Sequence, residues 1–211
     1  MVKDKLIQKK SDKVIILGTT KSWVKAPLGE SGWEVWGMNQ LWNQWGEYAT
    51  RWFEIHSMAI IEREWDSYQW LPRCPIPIYM KEHYPDIPNS VPYPLEKVSK
   101  GFLRQFSSTF CYQLALAIHE KFKVIGIYGV DFSHGSLRER FIEWRGLLYW
   151  LGVAAGRSIK IELPDGKLNH HYFYGLEYWE EAKDARSQIV DAISECFIFD
   201  GIPRGWKNPW R

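Results

Sequence analysis

A chain of 211 residues suits one ordinary domain with a full core, because a protein of this size buries about 70% of the surface its unfolded form exposes. Its 27 basic and 25 acidic side chains nearly cancel, which removes the global positive field behind sequence-independent nucleic-acid binding; nucleic acid is not an expected partner. No apolar run approaches the roughly 20 residues that cross a bilayer, and the lysine-rich first dozen residues lack a signal peptide's apolar stretch, so no membrane partner is expected and the cytoplasm is the expected compartment.

Residues 1–12 read as a loose terminus and residues 13–200 as one α/β domain. The run Lys13-Val-Ile-Ile-Leu17 empties into Gly18, Thr19, Thr20, Lys21 and Ser22. An apolar run bounded by glycine suits a parallel strand covered on both faces. The residues after it then lie at the carboxyl edge of the sheet, where open α/β sheets bind their ligands. After a connection through Pro27 and Gly29, residues 34–38 form a second strand ending at Asn39, and residues 51–55 a third ending at His56. Three closely spaced runs finishing in small or polar groups fit one shared cleft.

Prolines 72, 75, 77, 85, 88, 92 and 94 deny residues 70–95 a long helix. This segment reads as a surface excursion carrying one short strand at 76–80, in the manner of a binding loop or lid. Residues 107–121 have the pattern of a capped helix packed on the sheet, with Ser107, Ser108 and Thr109 at its start. Its first amides carry partial positive charge, and with three hydroxyls beside them they form a candidate anion site. Residues 123–132, Lys-Val-Ile-Gly-Ile-Tyr-Gly-Val-Asp-Phe, repeat the strand-and-turn pattern of the first run and end in Gly129 and Asp131. Two such strand ends imply one crevice.

A helix follows from about 138 to 155, stopping near Gly156, then a strand at 159–163 closed by the Pro164-Asp165-Gly166 turn. A last helix spans about 177–196. The tail at 201–211 has two places to dock, its own core or a neighbouring copy, and the second would make a homo-oligomer. Cys74, Cys111 and Cys196 follow neither a CxxC spacing nor a paired framework, and read as buried thiols in a reducing compartment. Thirteen tryptophans are the compositional oddity. Five of them, Trp33, Trp36, Trp42, Trp45 and Trp52, either wedge loops against the sheet, the favoured reading, or build a stacking platform for a base.

The ordered set of strand, Gly-Thr-Thr-x-Ser turn, strand ending in Asn39, Ser-Ser-Thr helix start and Ile127-Tyr-Gly-Val-Asp-Phe132 resembles the Rossmann-like group that includes bacterial sialyltransferases and the MptE-like 6-hydroxymethylpterin pyrophosphokinases, with phage-encoded relatives. The resemblance spans roughly residues 13–163. It implies a mostly parallel central sheet flanked by helices, with Gly18, Thr19, Ser22 and Asn39 around the nucleotide of a sugar donor. It also implies a phosphate on Ser107, Ser108 and Thr109, with Gly129 and Asp131 bordering the same pocket. These sialyltransferases deprotonate the acceptor hydroxyl with a histidine between the Gly-x-Asp-Phe strand and the next strand; here that interval holds only His134. The first turn carries Thr-Thr-Lys where the group usually has Asn-Gly-Pro, which argues against sialyl transfer in particular.

The histidines suited to proton transfer are His56, His134 beside Asp131, and the adjacent His170 and His171. Neighbours on a strand point to opposite faces, so the last two do not readily share a metal, and no metal site is expected. Asp131 and His134 are the chosen acid/base pair. Of the cations Lys21, Arg138 and Arg140, Lys21 is the one expected on a phosphate, because its turn is otherwise built of ligand-type residues. Glu143 is expected to pair with Arg140 one helical turn away. The P-loop pattern, GxGxxG after the first strand, a trustworthy hydrolase triad and helix-turn-helix or zinc-finger signatures are all missing. The expected ligand is therefore a phosphorylated small molecule, a nucleotide or nucleotide sugar, with no further cofactor implied, handled by a glycosyl- or phosphoryl-type transferase. The alternative is a non-catalytic phage protein that sequesters a nucleotide immune signal.

Overall fold

The apolar run after Asp12 is strand β1, Lys13–Leu17, in the computed structural model, which describes residues 7–130 and 136–164. The strands β2 (Glu34–Met38), β3 (Arg51–Phe53), β4 (Ile78–Met80), β5 (Ser90–Pro92), β6 (Val124–Tyr128) and β7 (Lys160–Glu162) join it in a single sheet of order β5-β4-β3-β2-β1-β6-β7. Every neighbouring pair is parallel. The helical segments are α1 (Trp42–Trp45), α2 (Met58–Arg63), α3 (Leu95–Val98), α4 (Thr109–His119) and α5 (Leu137–Gly156). The chain steps outward from β1 to β5, then α4 carries it back so that β6 pairs with β1. The strand order thus reverses between β1 and β6, and at such a reversal the connections leave toward opposite faces and open a crevice at the carboxyl ends.

Alternation along the strands builds a core on each face. Val14, Ile16, Trp36, Met38, Phe53, Ile125 and Ile127 pack beneath α4 and α5. Ile15, Leu17, Val35, Trp52, Ile78 and Met80 face the other way, under Trp45, Ile61, Tyr68 and Leu71. Strands buried on both sides read as continuous apolar runs, which is why β1 and β6 are visible in the sequence.

The third strand is shorter than expected, ending at Phe53, although the Glu54 N–H still donates to the Tyr79 carbonyl at 2.9 Å. The proline-rich excursion returns to the sheet twice rather than once: β4 begins at Ile78, and β5 is a strand the sequence reading left out. Its Pro92 is tolerable because β5 lies at the sheet edge, where one side of the backbone needs no ladder donor. The start of the described chain is pinned: the Asp12 carbonyl accepts from the amides of Lys123 and Val124, and the Lys10 N–H donates to Glu34 Oε1 at 2.6 Å.

At the amino edge, Arg51 opens β3 with only 1% of its side chain exposed. Its Nε meets Glu34 Oε2 at 2.9 Å, and its Nη1 meets both oxygens of Glu120 at 2.7 and 2.8 Å. Trp36 Nε1 donates to Glu34 Oε2 at 2.8 Å, and the Trp36 ring lies 5.0 Å from the guanidinium carbon. Burial alone would make Arg51 easier to deprotonate, but the bonds to Glu120 and the charges of Glu120 and Glu34 hold it charged, above its ordinary value. This cluster ties β2, β3 and the end of α4 together.

Candidate functional site

The carboxyl edge is assembled around the closest approach of β1 and β6. The Gly18 N–H donates to the Tyr128 carbonyl at 2.8 Å, and the Thr20 N–H to the Gly129 carbonyl at 2.9 Å. A Cβ on Gly18 would lie 2.3 Å from the Gly129 oxygen, and one on Gly129 would lie 2.4 Å from the Gly18 oxygen. Gly129 also has φ +74°, a conformation side chains resist. Both glycines are therefore explained by backbone meeting backbone. Ser22 is drawn into the same junction: its Oγ accepts the Gly129 N–H at 2.9 Å.

Around this junction the candidate residues differ in what holds them. Thr19 and Lys21 are exposed, while Thr20 is half-buried with an Oγ1 that is shielded from water and has no hydrogen-bond partner among the described residues. Asn39 leaves β2 with φ +49°. The left-handed turn directs its side chain so that Oδ1 accepts from Thr109 Oγ1 at 3.2 Å, while its carbonyl accepts from Trp52 Nε1 at 3.0 Å. Asparagine tolerates this backbone better than most residues. Residues 39 and 109, far apart in the chain, thus meet at the mouth of the sheet.

The start of α4 departs from the capped helix expected. Ser108 occupies the N-cap position, but its hydroxyl makes no capping bond; it lies 3.5 Å from Cys111 Sγ, and Ser107 Oγ lies 3.7 Å from the same sulfur. Thr109 turns to Asn39. The three hydroxyls therefore surround the helix start without capping it; the Cys111 N–H is taken by the Ser108 carbonyl at 3.0 Å, and the first turn carries the positive end of the helix dipole. α5 supports the approach: Trp150 Nε1 donates to the Gln105 carbonyl at 2.6 Å, and Gln113 Nε2 anchors α4 to the Gly37 carbonyl at 3.1 Å.

Asp131 and His134 lie outside the described residues, as do His170, His171, Cys196, the helix expected at 177–196 and the tail at 201–211. The expected pair of Glu143 with Arg140 does not form. Burial, then the like charge of Glu139, raises the Glu143 carboxyl instead, because the first turn of α5 uses Glu139 in a capping box with Ser136 and so places acid beside acid. The S-x-x-E spacing was the signal for that box. Cys74 and Cys111 are buried free thiols, and burial pushes the Cys74 thiol up to about 11. The crowded tryptophans are mainly packing. Trp36 and Trp52 are fully buried, and Trp42 stacks on Trp70 at 4.8 Å while both meet Trp52 edge-on.

In the sequence, one group at this edge reads only as part of a strand. Glu54, just past β3, is fully buried and its Oε1 accepts both the His56 N–H at 3.1 Å and His56 Nδ1 at 2.6 Å. The alternation that puts Phe53 under α4 turns Glu54 to the other face, against Tyr68. An E-x-H ending to a buried strand is the signal that would have found it.

These features define a doubly wound, all-parallel α/β protein in which Thr20, Asn39, Thr109 and the Glu54–His56 pair lie at the carboxyl edge of the sheet. No protein-family model and no curated protein matches the chain. Solved structures similar to it include the monofunctional alpha-2,3-sialyltransferase Cst-I from Campylobacter jejuni, 14% identical over 90% of this chain and 99% of that one, with a TM-score of 0.52. An alpha-2,3-sialyltransferase from Campylobacter jejuni in apo form is 13% identical over 90% and 98%, at 0.51. The sialyltransferase CstII from the same organism, in complex with the substrate analogue cytidine-5'-monophosphate, is 16% identical over 74% and 81%, at 0.46. At these identities the likeness is one of fold. Among the described residues no helix is long and apolar enough to cross a membrane.

Proposed function

We propose that this protein binds a nucleotide or nucleotide-linked sugar at the carboxyl edge of its sheet and transfers the attached group, as a glycosyl-type transferase. The observation that carries this reading is the Asn39–Thr109 hydrogen bond, which seats the uncapped start of α4 against the exit of β2, next to the β1/β6 reversal. A helix start without a side-chain cap favours a phosphate, and Thr20 Oγ1 is shielded from water with no hydrogen-bond partner among the described residues. In this reading Thr19, Thr20 and Lys21 meet the phosphates, Asn39 reads the sugar or base, and Ser107, Ser108 and Thr109 surround an anion. Gly18, Gly129 and Ser22 shape the floor. The two fold neighbours with TM-scores above 0.5 are both sialyltransferases, which favours glycosyl over phosphoryl transfer; the departure in the first turn speaks for a different donor.

The test is a thermal-shift panel of nucleoside mono- and diphosphates and nucleotide sugars, repeated on Asn39→Ala and Thr20→Val. At 100 times its dissociation constant a ligand stabilises by about 2.7 kcal/mol, a shift of several degrees for a domain of this size. The expected result is such a shift for at least one nucleotide class, much reduced in both variants. A blank panel on the folded wild type overturns the reading. A stable shift with the ligand recovered unaltered after prolonged incubation favours the sequestering protein.

A further inference from the structure

We propose that His56, held by Glu54, is the proton acceptor of this site; this rests on the transferase reading above. β2 and β3 are parallel neighbours in a register that sets Met38 opposite Phe53, so Asn39 and Glu54 leave the sheet at the same level on strands about 4.8 Å apart. The proposed nucleotide contact and the histidine pair therefore share one edge. Gln40, the next residue after Asn39, closes the distance further: its Nε2 donates at 2.5 Å to Glu64, whose charge also acts on His56.

The chemistry of the pair follows from its bonds. A carboxylate only accepts hydrogen bonds, so the 2.6 Å contact places the neutral ring's proton on Nδ1 and leaves the lone pair on Nε2. The second bond, from the His56 amide to the same oxygen, fixes the loop that carries the ring. Glu54 is fully buried, whereas the His56 side chain is 39% exposed, so the orienting group is sealed and the working nitrogen's ring reaches solvent. Among the described residues Glu54 Oε2 makes no hydrogen bond of normal geometry, although Tyr68 is near enough for the carboxylate to raise its hydroxyl above the ordinary value, after burial itself. A fully buried carboxylate whose hydrogen bonds run to one half-exposed histidine is a costly way to hold a loop. It is an economical way to hold an imidazole in one tautomer and to stabilise it once charged. The charged groups facing the pair are Glu64 and Lys81, acting in opposite directions.

In the proposed step an acceptor hydroxyl, of a sugar or of water, forms a bond from its oxygen to the anomeric carbon of the donor. The bond from that carbon to the phosphate oxygen breaks, and its electron pair leaves with the nucleotide. The hydroxyl proton passes to His56 Nε2, giving an imidazolium paired with Glu54. Glu54 is a positioning residue here and His56 the catalytic one.

The experiment uses the full chain with whichever nucleotide sugar gives the thermal shift described above, and follows nucleotide release against pH for the wild type, His56→Gln, Glu54→Gln and His134→Ala. His56→Gln is expected to keep the donor-induced shift and lose about 100-fold or more in turnover, the range for a general base. Glu54→Gln, near-isosteric and checked by circular dichroism and melting, is expected to lower turnover and to move the limb of the pH profile that reports the base toward lower pH. His134→Ala is expected to keep the limb where the wild type has it. Donor binding without turnover in the wild type overturns this proposal and spares the binding reading. Full turnover in His56→Gln, or loss of the limb in His134→Ala alone, overturns the proposal and spares the transferase. A blank donor panel removes both.

Discussion

The two edges of the sheet treat their polar groups in opposite ways. At the amino edge the buried Arg51, Glu34 and Trp36 indole and the half-buried Glu120 are bonded to one another. At the carboxyl edge Thr20 Oγ1 is shielded with no hydrogen-bond partner among the described residues, the buried Glu54 is bonded to a half-exposed histidine, the start of α4 has no side-chain cap, and Asn39 holds a left-handed backbone. Buried polar groups that answer one another stabilise a fold, whereas groups left open are tolerated where something else must bind. The first edge is structure and the second is where a ligand belongs.

The most direct way to break this comparison is Arg51→Ala. It leaves the buried Glu34 and the half-buried Glu120 without their counterion, and losing one partner of a buried pair costs about 3–5 kcal/mol, a fall in Tm of roughly 6–20 °C for a chain of this size. Chemical denaturation measures the loss. At the other end of the sheet, the shift in melting caused by a bound nucleotide is expected to survive, so its disappearance in a still-folded variant would mean that the two edges are not separate.

Gly129→Ala is expected to act at both levels. The new methyl would collide with the Gly18 carbonyl oxygen at 2.4 Å and sit on a φ of +74°. Overpacking costs about 1–3 kcal/mol, and relief requires the exits of β1 and β6 to separate. Stability and ligand affinity should therefore fall together. An unchanged melting temperature would refute the close junction.

Asn39 allows a finer cut. Asn39→Gly keeps the left-handed turn and removes only the amide, so stability is expected to change little while nucleotide affinity falls about three- to tenfold, the worth of one net hydrogen bond. Asn39→Ala loses the same bond and strains the backbone as well, so it should also melt lower. Equal melting of the two variants would mean that the turn is not strained.

What was legible in the sequence divides along the same line. β1, β2 and β6 announce themselves because a strand buried on both faces must be apolar throughout, and α4 because its apolar spacing is helical. β5 did not, since Ser-Val-Pro carries no periodicity and its pairing is decided by the sheet edge it joins. Thr20, Asn39 and Thr109 stood out as polar residues at element ends. That Asn39 touches Thr109 was not readable, because a contact between distant positions belongs to the topology. Glu54 was missed for the opposite reason: it continues an apolar strand, and only three dimensions reveal that its carboxylate is sealed beneath His56. Ser22, Gly18 and Gly129 read in the sequence as ligand contacts, and the structure uses them in the backbone junction.

The smallest expected effect is also the most specific. Hydrogen bonding to Glu54 raises His56 above its ordinary value of about 6.5, against the opposing effect of burial. A histidine whose folded value exceeds its unfolded one binds protons more readily in the native state, so unfolding stability declines as pH climbs through that window. The contribution of His56 is complete below about pH 6.5 and gone once the pH has passed the folded value. Glu120, raised chiefly by burial, also sheds stability with rising pH, but in a window that opens at the ordinary carboxylate value, well to the acid side. Denaturant titrations from about pH 6 to 9, where no ordinary carboxylate titrates, should therefore show a shallow decline in the wild type that is absent in His56→Gln. The increment is modest, because the ring is 39% exposed and solvent screens the pair. A decline of the same size in His56→Gln would show that the buried carboxylate does not hold the imidazole, and the carboxyl edge would lose its charged pair.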